Sequence, residues 1–314
     1  MLNAFSKLKV FLLVILGLTF FIFLGLSISL EKNKINEGIN FRFIIYDGFS
    51  LWDETFLREY EIENVKIKVL PNSSKRFDSR DAYFEIYSKG KMVFKLEKVY
   101  LIHNIFAFEY NENKYLVINY DPAGGMHCCF TPYIFLIDKN GNVKLIKKFQ
   151  EIDISTTLGT INFFIKNNKL YVFWQDPRFT FFDGLAFAYS PSFKRFFLIE
   201  NEKVIEVSKD FKEDYLKEAS KYEKEIRNII RSAKKMSKEK LREEKDILYQ
   251  EWFSRLLAKT VNLIMAGEKE KAFEEFDKSF EEFYSLSRST YESRFKEKDK
   301  IKKEILEMMK EFVD

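Results

Sequence analysis

Asp121-Pro122-Ala123-Gly124-Gly125-Met126-His127-Cys128-Cys129-Phe130 concentrates more reactive chemistry than any other stretch of the 314-residue chain. Gly124 and Gly125 permit backbone angles, or a close approach of another chain, that other residues resist. Cys128 and Cys129 are the only cysteines, so a disulfide framework and a CxxC zinc pattern are both excluded. As neighbours they could form a vicinal disulfide. Their Cα atoms would lie about 3.8 Å apart, below the usual span of about 4.4–6.8 Å, so the bond would be strained and easily reduced. His127 with the two thiolates could instead ligate zinc or copper, with His103 or Asp121 as a fourth ligand by chemistry alone. Adjacent strand residues point to opposite faces, so both sulfurs reach one metal only from a loop. A Cys nucleophile with His127 as base is the third option, although such partners usually converge from separate segments. The plainest reading is a tight turn whose sulfurs are buried or oxidised for local stability.

Acids offer less. Asp121 and Asp176 are candidates for an acidic site, and Asp176 with Asp183 could form a carboxylate pair. Asp138 to Asn142 has Gly in the fourth place, where the EF-hand pattern does not put it, so it reads as a turn. No phosphate loop, nucleophile elbow or metal-ligand series is present.

Gly-Gly-Met-His-Cys-Cys resembles a Gly-Gly-x-His-Cys-Cys signature of uncharacterised bacterial envelope proteins. Asp176, Phe179, Phe182 and Ala186-Phe187-Ala188-Tyr189-Ser190-Pro191 agree with the same family, so the resemblance covers about Tyr115 to Ile199. It implies an envelope location and no established activity.

Strands must position this motif. Alternating polarity runs through Val65–Val69, Tyr83–Tyr87 and Met92–Leu96, with Lys89-Gly90 turning the last two into a hairpin. Asp138-Lys139-Asn140-Gly141 joins Tyr133–Ile137 to Val143–Ile146 with a strong hairpin signal. Asn167-Asn168 joins Ile161–Ile165 to Leu170–Trp174, and Asn201 joins Phe196–Ile199 to Val204–Val207. Consecutive hairpins predict an antiparallel meander, sandwich or propeller-like array, although this length fills only about three blades.

After Val207 the period changes. Tyr215, Ala219, Tyr222, Ile226, Ile229, Ala233 and Met236 predict one helix face. Ser237 caps a second helix. Leu248, Trp252, Leu256 and Leu263 continue to a stop at Gly267. Phe273, Phe276, Phe280 and Phe283 form an aromatic stripe suited to packing, and Leu306, Met309 and Phe312 end the chain. Met265 to Phe273 is similar to part of a tetratricopeptide unit, but one unit cannot bury its own face, so an ordinary helical hairpin is expected.

Lys7 and Lys9 precede an uncharged apolar run from Val10 to Leu30. At about 21 residues, roughly 31 Å as a helix, it matches the hydrocarbon core. Its aliphatic and Phe residues favour insertion by about 6 kcal/mol. It is too long for a signal-peptide core and too evenly apolar for a soluble helix. The sequence thus predicts a segregated α+β chain. Residues 1–9 form a basic tail, 10–30 a transmembrane signal anchor and 31–40 a linker. A β-rich domain spans 41–207 and amphipathic helices span 208–314. A short basic tail followed by one helix puts the tail inside and the body outside the cytoplasm.

The net charge is only +4, and Lys and Arg are interleaved with Glu and Asp. That balance provides no field to gather nucleic acid. Abundant Lys and Glu with Gln only at 150, 175 and 250 fit a thermophile. The functional expectation is a membrane-anchored binding or interaction module that needs no cofactor, with a protein partner or self-association, leaning away from an enzyme. The alternatives are a thiol-redox or metal module at His127-Cys128-Cys129 and a helical scaffold for envelope assembly.

Overall fold

The structure is a computed structural model that describes residues 40–47, 57–70, 80–121, 131–149, 161–286 and 297–313. The Val10–Leu30 run lies outside them, as do Gly124, Gly125, His127, Cys128 and Cys129. Among the described residues, no helix is long and apolar enough to cross a membrane.

The chain is α+β, with antiparallel sheets followed by C-terminal helices. The first sheet is the meander β2 (Arg58–Ile62), β3 (Val65–Leu70), β4 (Ala82–Ser88) and β5 (Lys91–Val99). The second contains β6 (Leu101–Tyr110), β7 (Asn113–Asp121), β8 (Thr131–Ile137) and β9 (Val143–Lys148), with β1 (Asn40–Asp47) added beside β6. The third is the meander β10 (Asn162–Lys166), β11 (Lys169–Asp176), β12 (Phe193–Glu200) and β13 (Lys203–Glu206). The hairpins expected at Lys89-Gly90, Asn140-Gly141, Asn167-Asn168 and Asn201 all form. Their turn residues supply the positive φ that tight hairpins need: Gly90 at 76°, Asn167 at 52° and Asn168 at 54°. Asp138 is spent on its own turn, accepting from the Asn140 and Asn142 backbone N–H groups at 2.8 and 2.9 Å.

The sheets stack face to face. Val65, Ile67, Phe84 and Ile86 of the first share a core with Ile105, Leu116, Ile118 and Phe135 of the second. Phe108, Val117, Ile134 and Leu136 on the opposite side of the second meet Phe163, Val172, Trp174 and Phe197 of the third. The middle sheet is therefore apolar on both faces, which is why β7 and β8 read as unbroken hydrophobic runs. The outer face of the first sheet carries Glu59, Lys68, Glu85 and Lys95 directly opposite one another across its four strands. Alternating charges favour such cross-strand neighbours and leave that face in water.

Helices cover the face of the third sheet that points away from the second. These are α1 (Lys212–Lys234), α2 (Lys238–Glu243), α3 (Lys245–Met265), α4 (Lys269–Leu286), α5 (Lys298–Met308) and α6 (Lys310–Val313). Phe193 and Phe196 of the third sheet join Tyr215, Trp252, Phe253, Phe276 and Phe280 in one core. Ser237 accepts from the Lys240 backbone N–H and caps α2. Gly267, at φ 78°, ends α3. Its N–H reaches the Ile264 carbonyl and that of Glu268 reaches Leu263, the paired bonds of a Schellman motif. The last helical face differs in detail from the expected one. Ile301, Ile305 and Met309 are buried, and Leu306 is only partly so, because a helix of period 3.6 turns its face between residues spaced three and four apart.

Candidate functional site

The strand registers put the hairpin turns at one end of the strands and the long connections, with the one-residue link at Tyr100, at the other. Lys89 donates its N–H to the Asn64 carbonyl, Ser88 Oγ reaches the Gly141 carbonyl, and Tyr110 Oη reaches that of Asn168. These bonds tie the hairpin ends together. The connections 48–57, 71–81, 122–130, 149–161 and 177–192 all leave from the opposite end.

At that end the apolar layer between the second and third sheets turns polar. Along one face of β7 the order is Tyr115, Val117, Asn119, Asp121. Along β11 it is Leu170, Val172, Trp174, Asp176. Phe149 fixes the level of the two. Its N–H bonds the Pro132 carbonyl, opposite Asn119. Its ring lies 5.6 Å from Trp174 and 5.1 Å from Phe197. Asp121 and Asp176, the two predicted acids, are thus buried at the ends of facing sheets. The two carboxylates therefore belong to the same polar end of the layer between the second and third sheets.

Asp176 is held by arginine. Arg178 donates from Nε to both carboxylate oxygens at 3.1 Å, from Nη2 to Oδ2 at 2.6 Å and from its backbone N to Oδ1 at 3.0 Å. Arg195 Nη1 adds a contact at 3.3 Å. This fork-like pairing is the strong form of the ion pair. It makes Asp176 a counter-ion whose lone pairs are taken, which does not suit proton transfer to a substrate. Arg195 also pairs through Nε and Nη2 with Glu206, and Ser208 Oγ donates to the same carboxylate at 2.9 Å. Burial pulls the pKa of both arginines down, but their bonds to carboxylates more than offset it and leave both raised. Lys147, over the rings of Phe149 and Phe197, is pushed down by burial and then by the charge of Arg195.

Asn119 Nδ2 donates to Asn104 Oδ1 at 2.7 Å. Among the described residues, Asn119 Oδ1 and Thr131 Oγ1 are buried without a hydrogen-bond partner, and both residues lie close to the 122–130 connection. Such atoms are rare in native folds and mark a place that another group can satisfy. Asp183 stands apart, accepting from Tyr249 Oη at 3.3 Å. Among the described residues no group of His, Cys, Asp and Glu could hold a metal.

No protein-family model, curated protein or solved structure matches the chain. Sequence reasoning singled out Asp121 and Asp176 but missed Arg178, Arg195, Asn104 and Asn119. A usable signal was present: Asp176 ends an apolar alternation and has an arginine two residues on.

Proposed function

We propose that the chain is a membrane-anchored extracytoplasmic binding module whose working surface is the end of the stack from which the 122–130 connection leaves. The Val10–Leu30 run supports the anchor, since about 21 uncharged residues favour lipid. The observation that carries the binding half is the segregation of connection lengths. The hairpin turns occupy one end, and every longer connection between strands leaves from the other, where the one-residue link at Tyr100 also lies. A stack whose longer connections leave from one end is a usual way for a fold to present a recognition surface. Asp176, the deepest charge there, is neutralised by Arg178 and Arg195, which supports a pre-organised scaffold over an acid–base centre.

The test uses the purified full-length chain in detergent, assayed with generic esterase, phosphatase, glycosidase and thiol-oxidoreductase substrates. The binding reading expects no turnover above a Cys128→Ser/Cys129→Ser control. Turnover abolished by Cys128→Ser or His127→Ala would overturn it in favour of chemistry at the motif.

A further inference from the structure

β1 fixes where the chain enters the stack. It pairs with β6 so that Asn40 stands opposite Glu109 and Asp47 opposite Asn104. Glu109 lies next to the β6–β7 turn, whereas Asn104 is near Leu101, which pairs with Asp121 beside the 122–130 connection. The chain therefore arrives at the hairpin end and runs away from it along the edge of the second sheet.

Length then decides which end of the stack faces lipid. Asn40 is the tenth residue after Leu30, and ten residues reach at most about 35 Å. The headgroup layer on each side of the hydrocarbon core is about 6 Å thick. From Asn40 to Asp47, β1 runs about 23 Å. Bringing the opposite end down to the membrane would take about 29 Å of that reach, to run back along β1 and through the headgroups. The 48–57, 71–81 and 122–130 connections leave from that end and would have to fit into what is left. With the hairpin end down, the same ten residues have only the headgroup layer to cross.

The chemistry of the hairpin end agrees. Its six turns contain Asn64, Gly90, Glu112, Asn140, Asn168 and Asn201, and no residue of those turns carries an apolar side chain. Charges around them are paired within the stack. Lys114 pairs with Glu63, Lys144 with Glu202 at 2.8 Å, and Lys89 Nζ donates to Asn142 Oδ1 at 2.9 Å. Amides and internal ion pairs suit a hydrated headgroup layer, while entry into hydrocarbon needs an apolar face that these turns lack.

We infer that the hairpin end is a membrane-contacting surface that rests on phospholipid headgroups and holds the Asp176 end of the stack away from the bilayer. The inference rests on the anchored reading above and adds to it which end of the body faces lipid.

The test is nitroxide quenching of a fluorescent label on the purified full-length chain, reconstituted in vesicles of phosphatidylcholine and phosphatidylglycerol. In a Cys128→Ser/Cys129→Ser background, Lys139→Cys labels the β8–β9 turn and Arg80→Cys labels the opposite end, just before β4, both at exposed positions. A headgroup nitroxide is expected to quench the label at position 139 roughly threefold or more over that at position 80, since about 23 Å of strand separates the ends. A nitroxide deep in the acyl chains should quench neither. Glu202→Cys and Glu97→Cys, at side chains 55% and 53% exposed, form a second pair that decides the matter if a variant of the first does not fold. Equal quenching at the two ends, or stronger quenching at position 80, in a chain that floats with the vesicles would overturn the inference and leave the anchor standing. Quenching at position 139 from the acyl chains would overturn headgroup contact in favour of insertion. A chain that does not float with the vesicles would refute the anchor itself, and the inference with it.

Discussion

Arg178 grips Asp176 two residues before it and the Met308 carbonyl 130 residues after it with a single guanidinium. The end of a central strand of the third sheet and the end of a C-terminal helix are joined through one side chain.

Removing that group should cost more than removing its outer partner Glu311, whose Oε1 lies 2.5 Å from Arg178 Nη2. Arg178→Ala strips the buried Asp176 of its fork and is expected to destabilise by about 2–4 kcal/mol, since a buried carboxylate is left underpaired. Arg178→Lys keeps the charge without the fork and should fall between this variant and the unaltered chain. Glu311→Ala, half exposed, should cost less than about 1 kcal/mol. Urea denaturation of the three variants checks the order. Equal losses for Arg178→Ala and Glu311→Ala would contradict it.

Phe149→Ala should be among the most damaging core changes. Its ring is buried between Trp174 and Phe197, and emptying such a position costs about 3–5 kcal/mol. Trp174 would lose a ring neighbour, so its emission should shift to the red in the folded state. An unshifted spectrum with unchanged stability would mean that the second and third sheets do not meet there.

Gly267→Ala tests the helix stop. No atom lies within 4 Å of the added Cβ, so space is not the issue, but φ is 78°. The left-handed conformation alone should cost about 1–2 kcal/mol. A Tm equal to that of the unaltered chain would contradict the Schellman ending.

Tyr115 gives a pH dependence. Burial, then the charges of Tyr110 and Glu202, pushes its hydroxyl from 10 up to about 12. The folded state therefore keeps a proton that the unfolded chain gives up. The sign follows: its contribution is intact below pH 10 and is lost as pH rises towards 12. Two pH units correspond to about 2–3 kcal/mol. Between those pH values the unaltered chain should lose more stability than Tyr115→Phe by about that amount, measured by urea titration at each pH. Parallel losses would contradict the burial argument.

Much of the local structure was legible because its causes are local. Lys89-Gly90, Asn140-Gly141 and Asn167-Asn168 dictate turns through backbone conformation. Ser237 and Gly267 punctuate helices by hydrogen bonds within one turn. The β1–β6 pairing was not legible, since it brings Asn40–Asp47 against Leu101–Tyr110 across the whole first sheet. Nor was the stacking order, which depends on which faces are apolar on both sides. Asp176 could be picked out as a charge ending an apolar strand. Its partner Arg195, and the acids Glu206 and Glu311 that pair with Arg195 in turn, come from three later elements, and only the folded chain brings them together.

Whether the chain is anchored with its body outside the cytoplasm is decided by its sidedness in intact cells. In a Cys128→Ser/Cys129→Ser background, a Glu202→Cys substitution places one thiol where the native side chain is 55% exposed. Intact cells are then treated with a membrane-impermeant maleimide and fractionated. An anchored, outward-facing chain gives a labelled protein in the membrane fraction, resistant to carbonate wash, whose mass retains the first thirty residues. A freely soluble product that still carries those residues, or labelling only after the cells are permeabilised, would contradict it.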